Sequence, residues 1–307
     1  MLYDLAIIGG GPAGAAAGVY AARKRLKTVF LTRDWGGQSA VSPEIQNWIG
    51  TPKISGIELG DAFKKHLEAY AGEFLEIKDG VAVQKIEKKA SGFFLRTESA
   101  IFEAQTILIA TGSSRRKLEV PGADRLEHKG LTYCASCDGP IFADLDVAVI
   151  GGGNAGFETA AQLLAYCKSV TLLIRGTEFK ADEITLRTVL AHPKMKTLIN
   201  AEPVEVKGEK SVTGLIYKNK LTGEKKELAV QGIFVEIGGI PNTGFAKGLV
   251  EQNQYNQIIT DPRNQRTSLA GIWTAGDCTD GLYHQNNIAA GDAVKALEDI
   301  YLFLHTK

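Results

Sequence analysis

Two stretches of sequence, AIIGGGPAG at residues 6–14 and AVIGGGNAG at residues 148–156, are near-copies placed 142 residues apart. A repeat at this distance indicates a duplicated domain, because solenoid repeats recur every ~20–50 residues. In each copy a β-rich run precedes the glycines, an alanine-rich helical pattern follows them, and a second β-rich run comes next. Two strand–helix–strand units predict an α/β fold with two parallel-sheet domains. The predicted strands are Tyr3–Ile8, Thr28–Leu31, Asp146–Ile150 and Ser169–Ile174, and the predicted helices are Ala13–Lys24 and Ala155–Tyr166.

The first glycine cluster has the spacing of a dinucleotide-binding turn, with Gly9, Gly11 and Gly14 between a strand and a helix. In such a turn the first glycine permits the tight bend, the second lets a pyrophosphate approach the backbone, and the third lets the helix pack closely on the strand. Asp34 follows 20 residues after Gly14, at the end of the second strand, where a carboxylate accepts ribose hydroxyls. These residues predict a Rossmann-like, dinucleotide-binding domain.

The second glycine cluster, Gly151, Gly153 and Gly156, has the same context but a different residue at the end of its second strand. No acid stands there, and Arg175 is the first charged residue. A missing acid and a nearby arginine favour a 2′-phosphate and therefore NADPH over NADH, although a solvated surface arginine is an open alternative. We predict a nicotinamide-nucleotide site in which the phosphate preference depends on Arg175.

Two dinucleotide sites in one chain suggest two nucleotides that exchange electrons. A further glycine turn, Ala275-Gly276-Asp277, provides a candidate contact for the ribityl or phosphate region of a flavin. A ligand that ends at ADP does not need this third contact, so the first domain is predicted to bind FAD.

Composition limits the remaining classes of function. The 307 residues correspond to two domains at the usual ~150 residues each. Lys+Arg and Asp+Glu are both 35, so the chain lacks the basic excess expected of a protein that binds nucleic acid or an anionic membrane. Residues 5–22 are apolar but lack the basic start of a signal peptide, and no run reaches the ~20 apolar residues of a membrane span. The sequence therefore predicts a cytoplasmic protein with no membrane or nucleic-acid partner.

The sharpest chemical signal is the motif Cys134-Ala135-Ser136-Cys137. Two cysteines at this spacing close a small, reactive disulfide, and a neighbouring thiol can stabilise a thiolate. No metal site is predicted, because the chain has no second such pair and no paired histidines. Asp138 is a candidate for moving a proton to or from the departing thiolate, or alternatively a cap for the following turn. Cys167 and Cys278 are expected to be structural packing residues.

Other stretches alternate like antiparallel strands and are expected to be β insertions. The alternating pairs are Gly80–Glu87 with Gly92–Thr97, and Thr213–Asn219 with Lys225–Val230. The spacing of apolar residues predicts a closing helix from Asn287 to His305. Hinges are expected near residues 113–116 and 241–244.

Together, these motifs make the chain similar to low-molecular-weight, bacterial-type thioredoxin reductases over essentially its whole length. The matching motifs, in order, are GGGPAG at 9–14, GGQ at 36–38, NW at 47–48, ATG at 110–112, YCASCDG at 133–139, GGGNAG at 151–156, GGIPNT at 238–243 and TAGD at 274–277. The stretches CDGPIF, FKADE and NAEPVEVKG resemble the flavoprotein subunit of alkyl hydroperoxide reductase equally well. That subunit carries an extra N-terminal thioredoxin-like region, and this chain begins at the flavin strand, so the shorter reductase architecture is expected.

The resemblance implies the three-layer ββα fold of flavoprotein disulfide reductases. It implies an FAD domain built from residues 1–115 and 245–307, with an inserted NAD(P)H domain, residues 116–244, that carries the dithiol. It also implies a homodimer and a domain rotation that presents the dithiol alternately to the flavin and to thioredoxin or a thioredoxin-like protein.

The resemblance assigns roles to single residues as well. Cys137 is the thiol nearer the flavin, Cys134 attacks the disulfide of the partner protein, and Asp138 handles the proton. The residues expected to bind FAD are Gly9, Gly11, Pro12, Ala13, Gly14, Asp34, Gly36, Gly37, Gln38, Asn47, Thr111, Gly112, Gly276, Asp277 and Gln285. The residues expected to bind the nicotinamide nucleotide are Gly151, Gly153, Asn154, Gly156, Arg175 and Lys180.

Two departures from the family pattern leave the electron donor open. The family's His-Arg-Arg signature for NADPH is Ile174-Arg175-Gly176 here, followed by Lys180, so a bidentate phosphate donor is lost and a point charge replaces it. Asn286 and Asn287 follow Gln285, where the family has smaller or apolar residues beside the flavin. NADPH, NADH and a protein donor such as ferredoxin or a flavodoxin all stay open.

The sequence thus predicts an FAD-dependent disulfide reductase. The alternatives are the same chemistry supplied by a protein donor, or a reductase that serves a peroxiredoxin system. A third hypothesis, a flavin-bound redox sensor or scaffold without turnover, is disfavoured because a scaffold does not need a cysteine pair next to Asp138.

Overall fold

The computed structural model of the protein describes residues 1–42, 44–90 and 92–306. The chain forms two compact units, which we call unit 1 (Met1–Ser114 with Ile240–Lys307) and unit 2 (Arg115–Gly239). Unit 2 is one continuous segment, whereas unit 1 is assembled from both ends of the chain.

Segments in which strands and helices alternate are separated by runs of consecutive strands. The strands are β1 (Leu2–Gly10), β2 (Thr28–Trp35), β3 (Leu75–Asp79), β4 (Val83–Lys89), β5 (Gly92–Thr97), β6 (Ile101–Ile109), β7 (Ser113–Arg115), β8 (Leu131–Thr132), β9 (Asp146–Ile150), β10 (Ser169–Leu173), β11 (Met195–Leu198), β12 (Ala201–Lys207), β13 (Gly214–Asn219), β14 (Lys225–Ala229), β15 (Gly232–Val235), β16 (Gly239–Pro241) and β17 (Ile272–Thr274). The helices are α1 (Pro12–Arg23), α2 (Gly56–Glu68), α3 (Ala123–Leu126), α4 (Ala135–Asp138), α5 (Asn154–Leu164), α6 (Glu183–Leu190) and α7 (Asn286–His305).

The sheet of unit 1 has seven strands in the order β3-β2-β1-β6-β5-β4, with β17 also paired to β6. β1 is parallel to both of its neighbours, and β4, β5 and β6 form an antiparallel ladder. Side chains of a strand point alternately to the two faces of a sheet. Leu5 and Ile7 therefore join one buried cluster with α1 and α7, while Ala6 and Ile8 join a second cluster. The central strand is buried on both faces, as the predicted α/β fold requires.

The main sheet of unit 2 has five parallel strands in the order β11-β10-β9-β15-β8. Ile150 at the end of β9 is paired with Leu173 of β10 and with Val235 of β15, so the three strands end at the same level. The second glycine turn lies directly beyond this edge. A separate antiparallel sheet contains β12, β13 and β14.

Both antiparallel pairs expected from the sequence are confirmed, as β4 with β5 and β13 with β14, although several boundaries are shifted, most of all the start of β4. β4 begins at Val83 rather than Gly80. The reason is that Val81 N donates to Thr32 O of β2 at 2.8 Å, which keeps this segment out of the β4–β5 ladder.

The second passage of the chain between the units lies between Gly239 and Ile240, next to the segment 241–244 where a hinge is expected. Asn242 belongs to unit 1, and its N–H donates to Gly112 O of the same unit at 2.9 Å. The hinge itself stays a prediction.

Two kinds of feature are absent from residues 1–42, 44–90 and 92–306. No helix in this part of the chain is long and apolar enough to cross a membrane. In the same residues, no three His, Cys, Asp or Glu side chains are grouped so that they can hold a metal ion.

Candidate functional site: two glycine turns and a cysteine pair

The glycine turn of unit 1 links β1 to α1, and its three glycines have different steric surroundings. Gly9 has a φ of +121°, and a Cβ on it would lie 2.2 Å from Ala110 O. A Cβ on Gly14 would lie 1.8 Å from Gly9 O, so only glycine lets the helix approach the strand this closely. A Cβ on Gly11 would meet no atom within 4 Å. The turn is therefore tight at both ends and open at its centre.

The N-terminus of α1 begins at this open centre. Gly11 is the N-cap and offers no side-chain hydrogen bond to the helix, and Pro12 at the first helical position has no N–H. The first turn of a helix has unpaired amides and a positive dipole end, both of which favour an anion. An uncapped helix start above an open glycine fits the pyrophosphate of a dinucleotide.

Two more glycines of the predicted FAD site lie against this turn. A Cβ on Gly37 would lie 3.6 Å from Gly11 Cα. A Cβ on Gly276 would lie 3.2 Å from Ala289 Cβ and 3.5 Å from Ala13 Cβ, so the Gly276 turn is wedged between α1 and α7. The structure thus brings three separate motifs of the sequence together in unit 1.

The start of α7 is joined by polar side chains to residues near Asn47. Asn47 Nδ2 donates to Gln285 Oε1 at 3.3 Å, and Asn287 Nδ2 donates to Asn47 O at 2.7 Å. Ser39 Oγ donates to Asn286 Oδ1 at 2.9 Å. The two asparagines that depart from the family pattern therefore connect α7 to two distant segments of unit 1. Sequence reasoning noted these asparagines but did not predict their partners.

Two acids of the predicted FAD site are accessible to solvent. Asp34, near the end of β2, is exposed and forms an ion pair with Arg33 at 2.9 Å, measured from Asp34 Oδ2 to Arg33 Nε. Asp277 Oδ1 lies 3.5 Å from Nδ1 of His284, a residue that the motifs left without a role. Both carboxylates can therefore accept hydrogen bonds from hydroxyl groups of a ligand.

The predicted residues Thr111 and Gly112 are held by Asn242, which sequence reasoning missed. Thr111 Oγ1 donates to Asn242 O at 2.7 Å, and Asn242 Nδ2 donates to Thr111 O at 3.0 Å. Ser114 Oγ donates to Asn242 Oδ1 at 2.9 Å. The ATG and GGIPNT motifs are thus in direct contact, although 131 residues separate Thr111 from Asn242.

The glycine turn of unit 2 repeats the steric pattern of the first. Gly151 has a φ of +138°, and a Cβ on it would lie 2.0 Å from Glu236 O. A Cβ on Gly156 would lie 2.1 Å from Gly151 O. Gly153 is the uncapped start of α5, and the nearest atom to a Cβ on it would be Lys180 O at 3.9 Å. This turn also fits a pyrophosphate.

The other residues assigned to the nicotinamide nucleotide lie in the segment between β10 and α6 or contact it. Lys180 N donates to Gly152 O of the turn at 2.8 Å. Asn154 Oδ1 accepts a hydrogen bond from Asp182 N at 3.0 Å. Arg175 follows β10 and is exposed, so its guanidinium is accessible to a phosphate.

The two cysteines of the CxxC motif form a disulfide, with their Cα atoms 5.3 Å apart. Cys134 is also the N-cap of the short helix α4, because its Sγ accepts a hydrogen bond from Cys137 N at 3.2 Å. The motif therefore places one cysteine before a helical turn and the other within it. This arrangement confirms the predicted disulfide pair.

Two residues that the sequence did not single out hold the disulfide turn. Thr132 Oγ1 donates to Asp138 Oδ2, and the same hydroxyl oxygen accepts from Cys134 N at 3.4 Å. Gln162 of α5 accepts from Ser136 Oγ and donates from Nε2 to Ala135 O, both at 3.2 Å. A single hydroxyl thus links the candidate proton carrier to the backbone of the first cysteine.

The remaining two cysteines, Cys167 and Cys278, are buried and free, as expected of packing residues. Burial raises the pKa of the Cys167 thiol to about 11. Burial also raises the pKa of Cys278, whose Sγ lies 3.2 Å from Thr274 Oγ1. Both thiols stay protonated at neutral pH and are poor nucleophiles.

Comparisons with known proteins show the family to which this chain is similar. The family model described as "Pyridine nucleotide-disulphide oxidoreductase" matches residues 3–293. The crystal structure of thioredoxin reductase from Streptococcus pyogenes MGAS5005 is similar, with 35% identity and a TM-score of 0.90 over 100% of this chain and 99% of that chain. Thioredoxin reductase from Giardia duodenalis shows 31% identity and a TM-score of 0.93, covering 99% of both chains. The similarity to bacterial-type thioredoxin reductases that the motifs indicated is confirmed.

Curated relatives carry other names than thioredoxin reductase. An alkyl hydroperoxide reductase component from Escherichia coli (strain K12) is 39% identical over 298 residues, which is 96% of this chain and 57% of that protein. A Bacillus subtilis (strain 168) protein named NADH dehydrogenase is 38% identical over 295 residues, with the same coverage. The chain therefore spans little more than half the length of these relatives. Its sequence and fold show that it belongs to the pyridine nucleotide-disulphide oxidoreductase family.

Proposed function

We propose that the chain is an FAD-dependent disulfide reductase that passes electrons from a nicotinamide nucleotide to the Cys134–Cys137 disulfide and then to thioredoxin or a thioredoxin-like protein. One observation carries this proposal: the same chain holds two uncapped, sterically open glycine turns and a formed CxxC disulfide. Two nucleotide sites and one dithiol are the minimum set of parts for such a reductase.

The surroundings of the first turn support FAD as the resident cofactor, which the family also implies. The pyrophosphate would lie at Gly11 and the start of α1, and the Gly276 turn would contact the middle of the ligand. Gly36, Gln38, Asn47, Thr111, Gly112, Asp277 and Gln285 complete the proposed site. When bound, the flavin supplies a two-electron relay between the nucleotide and the disulfide.

The proposed chemistry of the cysteine pair combines its contacts with the roles that the family resemblance assigns. Two electrons and two protons convert the disulfide to two thiols, and Asp138, held by the Thr132 hydroxyl, is the proposed carrier of a proton. The Cys134 thiolate then attacks the disulfide of the partner protein, forms a mixed disulfide and releases one partner thiol. Cys137 attacks Cys134 Sγ, releases the second partner thiol and restores the original disulfide.

The electron donor is proposed to be a nicotinamide nucleotide, with NADPH favoured by Arg175 and Lys180 beside the second turn. NADH is the second candidate, and the name of the Bacillus subtilis relative supports it. A protein donor such as ferredoxin or a flavodoxin is the third candidate, since the family's second arginine is Gly176 here.

A second function, reduction of the peroxide-reducing partner in an alkyl hydroperoxide reductase system, is favoured by one specific observation. Curated relatives that share 38–39% identity over 96% of this chain are named as components of alkyl hydroperoxide reductase. We further propose a cytoplasmic homodimer, for which the resemblance to thioredoxin reductases is the support.

The deciding experiment is anaerobic stopped-flow bleaching of the flavin in the purified yellow protein by NADPH, NADH and reduced ferredoxin in turn. We expect a nicotinamide nucleotide to be the fastest donor and thioredoxin turnover to follow. Cys134→Ser and Cys137→Ser should each abolish disulfide reduction while the flavin stays bound and reducible, because one thiol cannot form the internal disulfide.

Two outcomes would contradict parts of the proposal. Turnover at the wild-type rate in either serine variant would rule out the dithiol mechanism. Bleaching by ferredoxin alone would rule out the nicotinamide donor and leave the disulfide chemistry standing.

A further inference from the structure

One carboxyl group in unit 2 has no part in the function described so far. Glu236 directly follows β15, and its N–H donates to Ile150 O at 2.8 Å. Its carbonyl oxygen is the atom that a Cβ on Gly151 would approach to 2.0 Å. Its side chain is partly buried and accepts a hydrogen bond from Thr159 Oγ1 of α5 at 2.8 Å. Glu236 is therefore fixed between the glycine turn and the helix that follows it.

The equivalent corner of unit 1 has alanines at the two positions that Glu236 and Thr159 occupy in unit 2. Ala110 follows β6 as Glu236 follows β15, its N–H donates to Ile8 O at 2.8 Å, and its carbonyl oxygen faces Gly9. Ala17 stands six residues after Gly11, as Thr159 stands six after Gly153. The two alanines are 5% and 0% exposed, so two small apolar residues suffice for this corner of the fold. The Glu236–Thr159 pair is not required by the fold.

Ionising the Glu236 carboxyl at this position also costs free energy. Withdrawal from water raises the pKa of Glu236 to about 7, with the neighbouring Glu158 acting in the same direction. The Thr159 hydroxyl and Arg115 oppose this shift. These groups, from α5 and from the start of unit 2, are the charged and hydrogen-bonding neighbours of the carboxyl. Ionisation of the Glu236 carboxyl is unfavourable because the group is withdrawn from water, and unit 1 has alanine at the equivalent position. A carboxyl kept under these conditions indicates a role in ligand binding.

The position of Glu236 in the sheet identifies the part of the ligand it would meet. Ligands of open parallel sheets bind beyond the carboxyl ends of the strands, where the chain connections change direction. In unit 2 this point lies between β9 and β15, because α5 leads from β9 to β10 while β15 pairs with the other side of β9. Arg175 follows β10 and so marks the adenosine side. Glu236 marks the opposite side, where the nicotinamide half belongs.

We propose, building on nicotinamide-nucleotide binding as proposed above, that Glu236 distinguishes the oxidised from the reduced nucleotide. The oxidised nicotinamide ring carries a positive charge, and the reduced ring carries none. The Glu236 carboxylate therefore favours the oxidised form, and the neutral acid does not. The preference of the protein for reduced over oxidised nucleotide should fall as the pH rises through neutrality, so that product release is slower in alkaline than in acidic conditions.

The test measures affinity rather than turnover. Isothermal titration calorimetry of the FAD-loaded protein is performed with NADP⁺ and with tetrahydro-NADP, a reduced-ring analogue that cannot donate hydride to the flavin. In the wild type we expect the affinity ratio to shift about fivefold towards NADP⁺ between about pH 6 and pH 8, a size set by one pKa unit of coupling between the carboxylate and the charged ring. Glu236→Gln keeps the shape and an acceptor for Thr159, and its ratio should be independent of pH.

Three further variants guard against a merely structural effect. Glu236→Ala, which copies Ala110 of unit 1, should also give a ratio that does not change with pH. Thr159→Ala removes a group that lowers the pKa of Glu236, so the midpoint of the shift should move to higher pH. Glu158→Gln removes a group that raises it, so the midpoint should move to lower pH.

The possible failures are distinguishable. If Glu236→Gln and the wild type show the same pH dependence, this inference is wrong while nucleotide binding stands. If neither NADP⁺, NAD⁺ nor their tetrahydro analogues bind the wild type at any pH, both this inference and the nicotinamide donor are overturned.

Discussion

The two glycine turns have the same backbone geometry but different surroundings. In each, a Cβ on the first or the third glycine would collide with a backbone oxygen, whereas a Cβ on the middle glycine would meet no atom closer than 3.9 Å. Around the open glycine of unit 1 lie the Gly37 segment and the Gly276 turn, whereas Lys180 lies near that of unit 2. The glycine spacing therefore sets the steric shape of each turn, which fits the pyrophosphate sites proposed above. We expect the choice of nucleotide to depend on residues that come from elsewhere in the chain.

We expect the largest effect from substitutions that disrupt the glycine turn of one unit at a time. Gly14→Val would place a Cβ 1.8 Å from Gly9 O, and Gly156→Val would place one 2.1 Å from Gly151 O. Each should destabilise its own unit by at least about 4 kcal/mol, because a backbone oxygen cannot move aside. The first variant should lose flavin, and the second should keep its yellow colour. Flavin absorbance and calorimetric unfolding measure both effects, and equal flavin loss in both variants would contradict the separation of the two sites.

The next effect separates ligand binding from folding. Gly11→Val and Gly153→Val each add a Cβ that would meet no neighbouring atom closer than 3.9 Å, so we expect both proteins to fold normally. The added atoms occupy the path of the pyrophosphate and should weaken binding more than about 100-fold, of FAD in the first variant and of the nicotinamide nucleotide in the second. Titration of the apoprotein with FAD, and of the holoprotein with NADP⁺, checks this. Full flavin content in Gly11→Val would show that the first site is wrongly assigned.

The third effect concerns the corner where unit 2 has Glu236 and unit 1 has Ala110. An acid whose pKa is raised in the folded state stabilises the fold below its unfolded pKa and loses that contribution as the pH rises to the folded value. For Glu236 this pH range runs from the ordinary pKa of 4.5 to the folded-state pKa of about 7. Glu236→Gln should therefore gain stability relative to the wild type across this pH range, by about 3 kcal/mol at most above pH 7.

Denaturant unfolding of both proteins at about pH 5 and pH 8 measures this difference. Ala110→Glu is the reciprocal variant, since it places a carboxyl in the apolar corner of unit 1. It should lower the stability of unit 1 progressively as the pH rises. A difference between Glu236→Gln and the wild type that does not change with pH would contradict the raised pKa.

We expect the smallest effect at the end of the second strand of each unit, where unit 1 has Asp34 and unit 2 has Arg175. The quantity compared is the preference for NADPH over NADH. If Arg175 contacts a 2′-phosphate, Arg175→Ala should weaken NADPH use by about 1.5–3 kcal/mol, or roughly 10- to 150-fold, and leave NADH use unchanged. Gly176→Arg, which restores the family's second arginine, should shift preference further towards NADPH. Flavin reduction rates with both nucleotides measure this, and equal losses for the two would count against phosphate recognition.

Features that short motifs encode could be predicted from the sequence. The order of the first strands and helices, both antiparallel insertions and the cysteine pair could be predicted, because alternation and glycine spacing are local signals. The contacts of Asn242 with Thr111 and of Glu236 with Thr159 could not, since 131 and 77 residues separate the partners. An alanine-to-glutamate difference between the two copies was visible in the sequence. It had no meaning until the fold placed Ala110 and Glu236 at equivalent corners.

The start of β4 illustrates a second limit of sequence reasoning. Its alternating pattern begins at Gly80, but a hydrogen bond from Val81 to Thr32 removes the first residues from the ladder. A periodic pattern identifies a strand, whereas its first residue depends on competing partners elsewhere.

The division of unit 1 between both ends of the chain has a consequence for synthesis on the ribosome. Residues 115–239 of unit 2 are contiguous, so all of their contacts are available once that segment has emerged. Unit 1 must wait, because β17 pairs with β6 and α7 joins the buried cluster of α1. During this delay the apolar faces of β1 and α1 have no cover from the C-terminal segment. A nascent chain stalled before residue 272 should therefore be protease-resistant in unit 2 and sensitive in unit 1, although translation of unit 1 began first.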